Sequence, residues 1–466
     1  MKKFNKSLMA GLVAAGLVAS FSANATNGYF SHGYGTKNKG LAGSGVALPQ
    51  DAMIAATNPA GMAHVGERMD LGVAVFSPSP RSYSATAANS GCSAPGQCAF
   101  TLGSSVVGAG AGSTGQTIES ENDYFLIPHF AYTWAMGSGD ILGLSVYGNG
   151  GMNTEYEGGV ATYSTDGTNG GYTTTAGTYG AGTAGVNLEQ LFIAVTYAGK
   201  FSATGSWGVS PILAYQRFEA KGLSSFFGYS VDGNSLTNMG VDDSMGFGFK
   251  FGIQEDVMPG LTLAASYQTK MDMEEFSKYK GLFAEGGDFD IPETWTIGLA
   301  WKTAPTSTLT FDIQQINYSD VAAIGNPIGN LTNGTCTPGG GGASGTGPGC
   351  LGGASGAGFG WEDMTIYKLG YQWKQDDNMT WRVGYSYGEQ PIPENQVLFN
   401  ILAPAVMEQH LTFGFTKKTG ADSEFNFAAM YAPKNSVTGA NAFNTNQNIT
   451  LEMTQYELEA SWGWKF

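Results

Sequence analysis

The stretch GYSYG, from Gly384 to Gly388, matches the G-x-S-x-G pattern in which serine hydrolases present their nucleophile. That chemistry requires the serine to lie on a tight turn between a strand and a helix, next to an activating histidine. Here Ser386 lies between tyrosines in the alternating run WRVGYSY, which predicts the middle of a strand. The sequence therefore indicates that Ser386 is not a catalytic residue.

Two other groups of reactive residue types also lack the spacing that their chemistry needs. The stretch GAGSTG, from Gly110 to Gly115, matches a dinucleotide-binding fingerprint, but it lies in a low-complexity region with no helix after it. The four histidines, His32, His64, His129 and His410, are scattered without ligand spacing. We therefore expect no enzyme activity, no cofactor and no metal.

The four cysteines form two close pairs, Cys92 with Cys98 and Cys336 with Cys350. In an oxidising compartment, two local disulfides are the natural pairing. The alternative is one metal site made of four thiols, but neither pair has the C-x₂₋₄-C spacing of a zinc site.

The N-terminus predicts export. Three lysines within the first six residues precede an apolar run that is too short for a membrane helix, and the small residues Ala23, Asn24 and Ala25 follow. We expect residues 1–25 to be a secretory signal peptide and the mature chain to begin at Thr26. The alternative is an amphipathic N-terminal helix that is retained.

The composition of the remaining chain is typical of a transmembrane β-barrel. Of the 466 residues, 70 are glycine and 12% are aromatic, and no apolar run after the signal is long enough for a membrane helix. The 38 acidic residues outnumber the 22 basic ones, which makes nucleic acid an improbable partner.

Alternating residues predict the strands, most clearly in the final stretch QYELEASWGWKF. Its large apolar residues, such as Tyr456, Leu458 and Trp462, fall on one face, and Glu457 and Glu459 fall on the other. Aromatic residues at the ends of the apolar face are typical of a lipid-facing girdle. Similar runs predict about fourteen strands, at 68–79, 123–135, 140–150, 189–199, 206–220, 244–256, 260–271, 292–303, 307–318, 362–375, 379–388, 408–418, 423–433 and 453–466.

The connections between these strands alternate between long and short. The long ones are 80–122, 151–188, 221–243, 272–291, 319–361, 389–407 and 434–452. Outer-membrane barrels have long extracellular loops and short periplasmic turns, whereas a soluble sandwich has no reason to alternate in this way. We therefore expect an outer-membrane barrel from 68 to 466, a monomer with both termini in the periplasm.

The segment 26–67 has no strand alternation and must be accommodated inside or below this barrel. A barrel of about fourteen strands has a lumen that would leak if it were empty. The small residues of the segment predict short helical turns around Leu48–Ala56 that end at Asn58-Pro59. We expect the segment to be a plug, or hatch, in the lumen.

Three stretches together resemble the FadL family of outer-membrane transporters for long-chain fatty acids and other hydrophobic compounds. They are Asn58-Pro59-Ala60 preceded by GLAGSGVALPQDA, the hairpin PETWTIGLAWKTAPTSTLTFDIQQINYSD from Pro292, and WEDMTIYKLGYQWKQDDNMTWRVGYSYGEQPIP from Trp361. The resemblance covers nearly the whole mature chain. It implies a fourteen-stranded barrel with an N-terminal hatch, and uptake of long-chain fatty acid or another hydrophobic molecule, with neutral hydrocarbons as the alternative.

The resemblance also implies a lateral exit for the substrate, through an inward kink of the third strand. In this sequence Gly148, Asn149, Gly150 and Gly151 interrupt that strand, and glycines there are compatible with a bulge or bend. The alternative is that the glycines only begin a loop. A general diffusion porin, the remaining rival among channels, would need no hatch.

Substrate-binding residues are likewise implied by the resemblance. Tyr29 and Phe30 fall where the family builds its inner pocket, although they could equally be packing between plug and wall. Asn58, Pro59 and Ala60 more naturally fix the hatch turn.

Fatty-acid members place basic groups near the inner pocket. Arg217, with Lys221, stands at the corresponding place here. However, Arg217 shares its strand face with Leu213 and Tyr215, which favours the lipid side and contact with lipopolysaccharide phosphates. Glu362 stands where a basic residue is expected, which leaves room for neutral substrates.

Overall fold

A computed structural model of the chain describes residues 26–88, 100–105, 113–137, 139–164 and 172–466. The predicted signal peptide, the predicted Cys92–Cys98 disulfide and Gly110–Gly112 of the GAGSTG stretch lie outside the described residues.

Fourteen antiparallel strands form a closed barrel, in which the first strand pairs with both the second and the last. They are β1 (Arg68–Ser77), β2 (Phe125–Ala135), β3 (Ile141–Asn153), β4 (Gly185–Lys200), β5 (Ser206–Lys221), β6 (Asp242–Met258), β7 (Leu261–Gln268), β8 (Thr294–Ala304), β9 (Ser307–Ile316), β10 (Met364–Lys374), β11 (Met379–Gly388), β12 (Gln409–Lys418), β13 (Ser423–Asn441) and β14 (Asn444–Lys465). Three short segments, Arg81–Ala85, Gln116–Glu119 and Asp272–Met273, join the same sheet as extensions of β1, β2 and β7. The predicted fold class is confirmed.

The predicted alternation of faces is present in the barrel wall. In β14, Tyr456, Leu458 and Trp462 are 46–54% exposed on the outer surface, whereas Glu457 and Glu459 are 2% exposed on the inner one. A lipid-facing surface of this kind is apolar and keeps its aromatic residues near the two interfaces.

The connection predicted at 434–452 is wrong, because these residues continue the last two strands. β13 and β14 pair beyond the rest of the wall as far as Asn441 and Asn444, so the connection between them is a two-residue turn. Thr438 and Thr450 are cross-strand partners, and their hydroxyls lie 2.8 Å apart. The abundant Asn, Thr and Gly of this region are typical of loops, but here they form a hairpin with one exposed face, whereas residues of the other face such as Asn441, Gln447 and Ile449 are buried.

The extracellular connections contain short elements. Two small sheets combine Thr101–Leu102 with Val160–Ser164 and Tyr172–Ala176, and Ser104–Ser105 with Ser113–Thr114. The loop helices are Ser224–Tyr229, Gly233–Ser235, Ser277–Tyr279, Ala284–Gly287, Tyr318–Asp320, Ala322–Gly325, Ile328–Leu331, Glu394–Gln396 and Val397–Asn400. The predicted Cys336–Cys350 disulfide is present in one of these connections. Among the described residues, no helix is long and apolar enough to cross a membrane.

The segment 26–67 lies inside the barrel, and we call it the hatch. It contains three short helices, Thr36–Lys39, Ile54–Thr57 and Pro59–His64. The Asn58 side chain caps the third helix by accepting a hydrogen bond from the Ala60 amide at 3.0 Å, and it donates another to the Val46 carbonyl at 2.8 Å. Asn58 thus fixes the hatch turn and contacts the wall, where a side chain at Gly252 would collide with it.

Buried ion pairs connect the hatch to the wall. Lys39 Nζ lies 2.8 Å from Glu457 Oε1 and 2.7 Å from Glu459 Oε2, and both carboxylates point inward from β14. Lys37 pairs with Glu424 of β13 at 2.5 Å. Because buried charges are costly without a partner, these pairs hold the hatch in one position.

Candidate functional site

The third wall strand is interrupted by a bulge at Asn149. On the side facing β4, Gly148 pairs with Leu191 and Gly150 pairs with Gln190, so Asn149 is an extra residue. On its other side, β3 pairs with β2 only from Ala135–Ile141 to His129–Tyr147. The four residues of the predicted opening lie where β3 leaves β2.

The hatch takes the place of β2 beside the bulge. The Gly151 amide donates to the Tyr29 carbonyl at 2.9 Å, and the Ser31 amide donates to the Asn149 carbonyl at 3.0 Å. A Cβ at Gly150 would lie 1.8 Å from the Tyr29 carbonyl oxygen. Glycine is therefore required at this position, because the two backbones approach too closely for any side chain.

A window in the wall results, between 125–128 of β2 and 148–152 of β3. Its lower edge is the His129–Tyr147 pair. Its upper edge is closed by Asn122, whose amide donates to Asn153 at 2.9 Å. Pro128 has no N–H for a ladder and lies next to the last paired residue of β2, as expected of proline at a strand edge.

The Asn149 side chain points inward and joins the hatch to the wall. Its Oδ1 accepts a hydrogen bond from the Tyr34 hydroxyl at 2.8 Å, and its Nδ2 donates to Gln190 at 3.0 Å. The chain continues from Gln190 Nε2 to Gln216 Oε1 at 3.1 Å, and from Gln216 Nε2 to the Phe289 carbonyl at 2.9 Å. We call Asn149, Gln190 and Gln216 the amide chain.

Five aromatic side chains, two of them from the start of the hatch, fill the lumen above the rest of the hatch, and we call them the aromatic cluster. The members are Tyr29, Phe30, Phe289, Tyr318 and Trp361, each 0–1% exposed. The Tyr29 ring lies 5.4 Å from Tyr318, 6.1 Å from Trp361 and 6.3 Å from Phe289, between centroids. The predicted pocket residues Tyr29 and Phe30 thus belong to an apolar assembly directly beside the window.

An apolar cavity lies on the extracellular side of this cluster. We call it the outer cavity. In the part of the chain that the structure describes, its lining contains no charged side chain and consists of Val186, Phe218, Leu223, Phe226, Leu282, Phe283, Ala323, Leu351, Ala357, Gly358, Phe359, Phe399 and Leu402. Phe359 and Phe283 connect it to the cluster, with ring centroids 6.0 Å from Trp361 and 4.8 Å from Phe289.

A second, smaller cavity lies between Trp361 and the window strand. We call it the window cavity. Its lining is Phe76, Pro78, Arg81, Met152, Asn153, Trp361, Ala403, Pro404, Ala405 and Met453. Leu402 of the outer cavity and Ala403 of the window cavity are adjacent in the chain. The two cavities and the aromatic cluster therefore form one apolar region from the extracellular loops to the window.

A third cavity lies between the hatch and the wall and is polar. It contains two buried lysines, each of which donates to a hatch carbonyl: Lys250 to Ala56, and Lys368 to His32 at 2.9 Å. Threonine, serine, asparagine and glutamine side chains complete it. Such a lining does not suit an apolar molecule, so the apolar region ends at the hatch.

Arg217 lies outside this region. Its side chain is 40% exposed on the outer face of β5 and lies 3.6 Å from Glu189. Lys221 is 42% exposed and pairs with Glu155 at 3.2 Å. The substrate-binding role predicted for Arg217 is therefore not supported, because β5 contains no bulge that would turn this residue inward. Glu362 is exposed and does not line the described cavities either.

Ser386 faces the lumen, where its hydroxyl lies 3.1 Å from His410 Nδ1. However, the second ring nitrogen of His410 has no hydrogen-bond partner among the described residues, and Ser386 lies within β11 rather than on a strand-to-helix turn. The pair therefore lacks the carboxylate and the elbow of a hydrolase. Among the described residues, no group of three or more potential metal ligands is present.

Sequence reasoning missed most residues of the cavities, because it treated their segments only as loops. Phe226, Phe283, Phe359 and Phe399 all lie in predicted long connections. The signal that could have found them is the density of large apolar residues in segments such as LSSFFGY and VLFNILAPAVM. Large apolar side chains are mostly buried in folded proteins, so their density in these segments indicates a packed structure above the barrel.

Comparison with known proteins identifies the family. A family model described as outer membrane protein transport protein (OMPP1/FadL/TodX) matches residues 16–461. No curated protein sequence is found to match the chain.

Solved structures share the fold. The toluene transporter TodX of Pseudomonas putida has a TM-score of 0.61 and 16% identity, over 93% of this chain and 99% of its own. A FadL homologue of Pseudomonas aeruginosa has a TM-score of 0.60 and 13% identity, over 94% and 100%. The toluene transporter TbuX of Ralstonia pickettii has a TM-score of 0.55 and 14% identity, over 93% and 99%. The chain belongs to the OMPP1/FadL/TodX family, and it is an outer-membrane transport channel for hydrophobic compounds rather than an enzyme.

Proposed function

We propose that hydrophobic molecules enter the outer cavity, pass the aromatic cluster and leave sideways through the window into the membrane. The observation that carries this proposal is the window itself, since it is the place where the apolar region meets a stretch of wall in which β2 and β3 do not pair with each other. The hatch and its buried ion pairs obstruct a straight route to the periplasm. Because one closed barrel contains the whole route, we propose a monomer surrounded by outer-membrane lipid and lipopolysaccharide.

The energetics favour such a route for apolar cargo. Each CH₂ group gains about 0.8 kcal/mol on leaving water, and a water-filled pore would not supply that gain. In an apolar region that opens into lipid, the molecule keeps this favourable transfer free energy along the whole path. Transport then needs no energy source when the gradient is downhill.

Neutral hydrocarbons fit the outer cavity best, because its lining offers no group for a charge. Two structures that share the fold are described as toluene transporters, which is in accord with this assignment. Long-chain fatty acids are the second candidate. The observation in their favour is the buried Arg81, which lines the window cavity.

A reversible crosslink across the window tests the proposal. A Cβ at Gly148 would lie 3.3 Å from Ile127 Cγ2, so cysteines introduced at these two positions are close enough to form a disulfide. Uptake of a labelled alkane should be lost when the Ile127→Cys/Gly148→Cys protein is oxidised, and should return on reduction. The parent protein, taken through the same treatments, controls for the Cys336–Cys350 disulfide and for the predicted Cys92–Cys98 disulfide. Unchanged uptake by the fully crosslinked protein would exclude the lateral route.

A further inference from the structure

The third cavity, between the hatch and the wall, contains two buried lysines, and we call it the polar cavity. Lys250 reaches it from β6 and Lys368 from β10, and each side chain is 5% exposed. Among the described residues, no acidic side chain forms an ion pair with either ammonium group. The cavity therefore contains positive charge that no direct partner neutralises.

Asp312 of β9 is the acidic side chain that acts electrostatically on Lys368, but its hydrogen bonds go to the hatch. Its Oδ2 accepts from the amides of Gly45 at 2.7 Å and Val46 at 2.9 Å. The charged group that acts on Lys250 is Lys368, which has the same sign. Because one carboxylate balances one lysine, the two lysines and Asp312 together leave one positive charge uncompensated.

The hydrogen-bond donors of the polar cavity also outnumber its acceptors. An ammonium group has three N–H donors, and Lys250 and Lys368 each use one of them on a hatch carbonyl. The Thr57 hydroxyl, a further donor in the lining, has no partner in the described part of the chain. Of the lining side-chain acceptors that the structure describes, Gln314 Oε1 is the one without a partner. A surplus of donors therefore points into the cavity.

We infer that the polar cavity binds a small inorganic anion, chloride or phosphate, between Lys250 and Lys368. Such an anion accepts several hydrogen bonds at once and supplies the missing negative charge, whereas a water molecule supplies no charge. Buried ammonium groups are stable when they are both paired and hydrogen-bonded, so the anion completes the site. The inference concerns how the hatch is held and not the cargo, so it does not depend on the lateral route.

An anion at this place joins the hatch to two wall strands. Lys250 donates to the Ala56 carbonyl, next to Thr57 at the end of the second hatch helix. Lys250 Nζ also lies 5.6 Å from the centroid of the Tyr34 ring, and the Tyr34 hydroxyl donates to Asn149 at the bulge. Binding at Lys250 therefore holds residues of the hatch that contact the window. The stability of the hatch should depend on the anion present.

Hydrogen exchange of the second and third hatch helices, residues 54–64, tests this dependence in purified protein. The parent protein is measured in sodium chloride, sodium phosphate and sodium gluconate at equal pH and ionic strength, with gluconate as the bulky anion. Exchange should be about tenfold slower in chloride or in phosphate than in gluconate, as expected when charge-assisted hydrogen bonds stabilise the folded state. The salt that protects identifies the anion. Equal exchange in all three salts overturns the inference.

Lys250→Met removes the uncompensated charge, so it should also remove the dependence on the anion. The exchange of residues 54–64 in this variant should be the same in the three salts, because Asp312 still balances Lys368. Lys302→Met, a change at an exposed lysine of β8, is the matched control and should keep the dependence of the parent. Folding of both variants is checked by their heat-modifiable migration on gels. A folded Lys250→Met protein that keeps the dependence overturns the inference.

Anomalous scattering locates the anion without relying on a variant. Crystals of the parent protein are soaked in bromide or in arsenate, which replace chloride and phosphate respectively. One of the two soaks should give an anomalous peak within hydrogen-bond distance of the ammonium groups of Lys250 and Lys368. The absence of a peak there in both soaks would show that the charge is removed in another way, and would overturn the inference.

Discussion

Tyr34 of the hatch donates a hydrogen bond from its hydroxyl to Asn149 Oδ1, at 2.8 Å, and so joins the plug to the bulged residue of the third wall strand. The Tyr34 ring also contacts the Tyr147 ring, with centroids 5.0 Å apart, directly below the bulge. The amide chain then extends from Asn149 through Gln190 and Gln216 to the carbonyl of Phe289 in the aromatic cluster. One hydrogen-bonded series therefore spans the hatch, the window and the apolar region.

The first prediction is that Gln190→Leu impairs release of substrate more than its binding. The change removes the partner of the Asn149 amide, and a buried group left unpaired costs about 1–3 kcal/mol, so the bulge should lose its fixed geometry. We expect a reduction of uptake by roughly tenfold with little change in the affinity of purified protein for the same hydrocarbon. Uptake assays in cells and equilibrium binding in detergent measure the two quantities.

Thr196→Val is the matched control for Gln190→Leu. Thr196 is buried on the same strand and also hydrogen-bonds to β5, through Ser210 at 2.6 Å, but it lies away from the window. A purely structural effect would make the two variants alike. Equal losses of uptake in both, or parallel losses of uptake and affinity in Gln190→Leu, would argue against a positioning role for the amide chain.

The wall of this protein could be predicted from its sequence because two periodic patterns indicate it: the alternation of residue types and the alternation of connection lengths. Alternating residues such as Tyr456 and Glu457 mark the two faces of a strand, and the long and short connections mark its two ends. The same parity argument correctly favoured an outward Arg217. The hairpin at 434–452 was missed because its polar face meets water on an extension above the membrane, where composition no longer separates strand from loop.

The passage could be predicted only in part. The spacing of the glycines indicates the break in the third strand at 148–151, because glycine is favoured at β-bulges. Arg81 and Trp361 come from distant segments and line the same cavity, and no local pattern in the sequence indicates that they do. Pro128, however, could have indicated the window from the sequence, because a proline inside an otherwise regular strand indicates an edge that does not pair with the neighbouring strand.

The second prediction concerns the buried ion pairs of the hatch. In Lys39→Met, Glu457 and Glu459 lose their cation, and breaking a buried pair by removing one partner costs about 3–5 kcal/mol. We expect the hatch to shift and the barrel to admit small ions, which single-channel conductance in planar bilayers would detect. Lys434→Met, which removes an exposed pair with Glu452, should leave the conductance of the parent unchanged. A Lys39→Met protein that is folded and as closed as the parent would show that the hatch does not depend on these pairs.

The third prediction concerns the disulfides. Replacing Cys336 and Cys350 together with serine should loosen the loop between them, because the bond closes a segment of sequence separation 14. The melting temperature of the barrel should change little, since the wall ladders do not include this loop. Hydrogen exchange of residues 336–350 should rise while exchange of β9 and β10 stays the same.

Peptide mapping without reduction tests the predicted Cys92–Cys98 bond, and cross-pairing between the two pairs would contradict it.

The fourth prediction is a pH dependence in the loop that carries Phe289. Burial raises the pKa of the Asp288 carboxyl to about 7, with a further contribution from the neighbouring carboxylate of Asp290, while Lys270 acts in the opposite direction. Because an unfolded aspartate titrates near 4, the folded loop binds the proton more tightly, so this contribution to stability is present at low pH. It is lost as the pH rises from about 4 through about 7.

Hydrogen exchange of residues 276–290 at pH 5 and pH 8 tests this dependence, after correction for the intrinsic effect of pH on exchange. Protection should be greater at pH 5 in the parent protein, and the difference should disappear in Asp288→Asn, which keeps the shape of the acid but cannot ionise. Glu275→Gln, a change at an exposed acid of the same connection that does not contribute to the raised pKa of Asp288, should behave like the parent. The ion pair between Lys270 and Asp290, with a separation of 2.5 Å, is retained in both variants, so it does not account for a difference between them. Equal protection of the parent at both pH values would show that Asp288 is already ionised at pH 5.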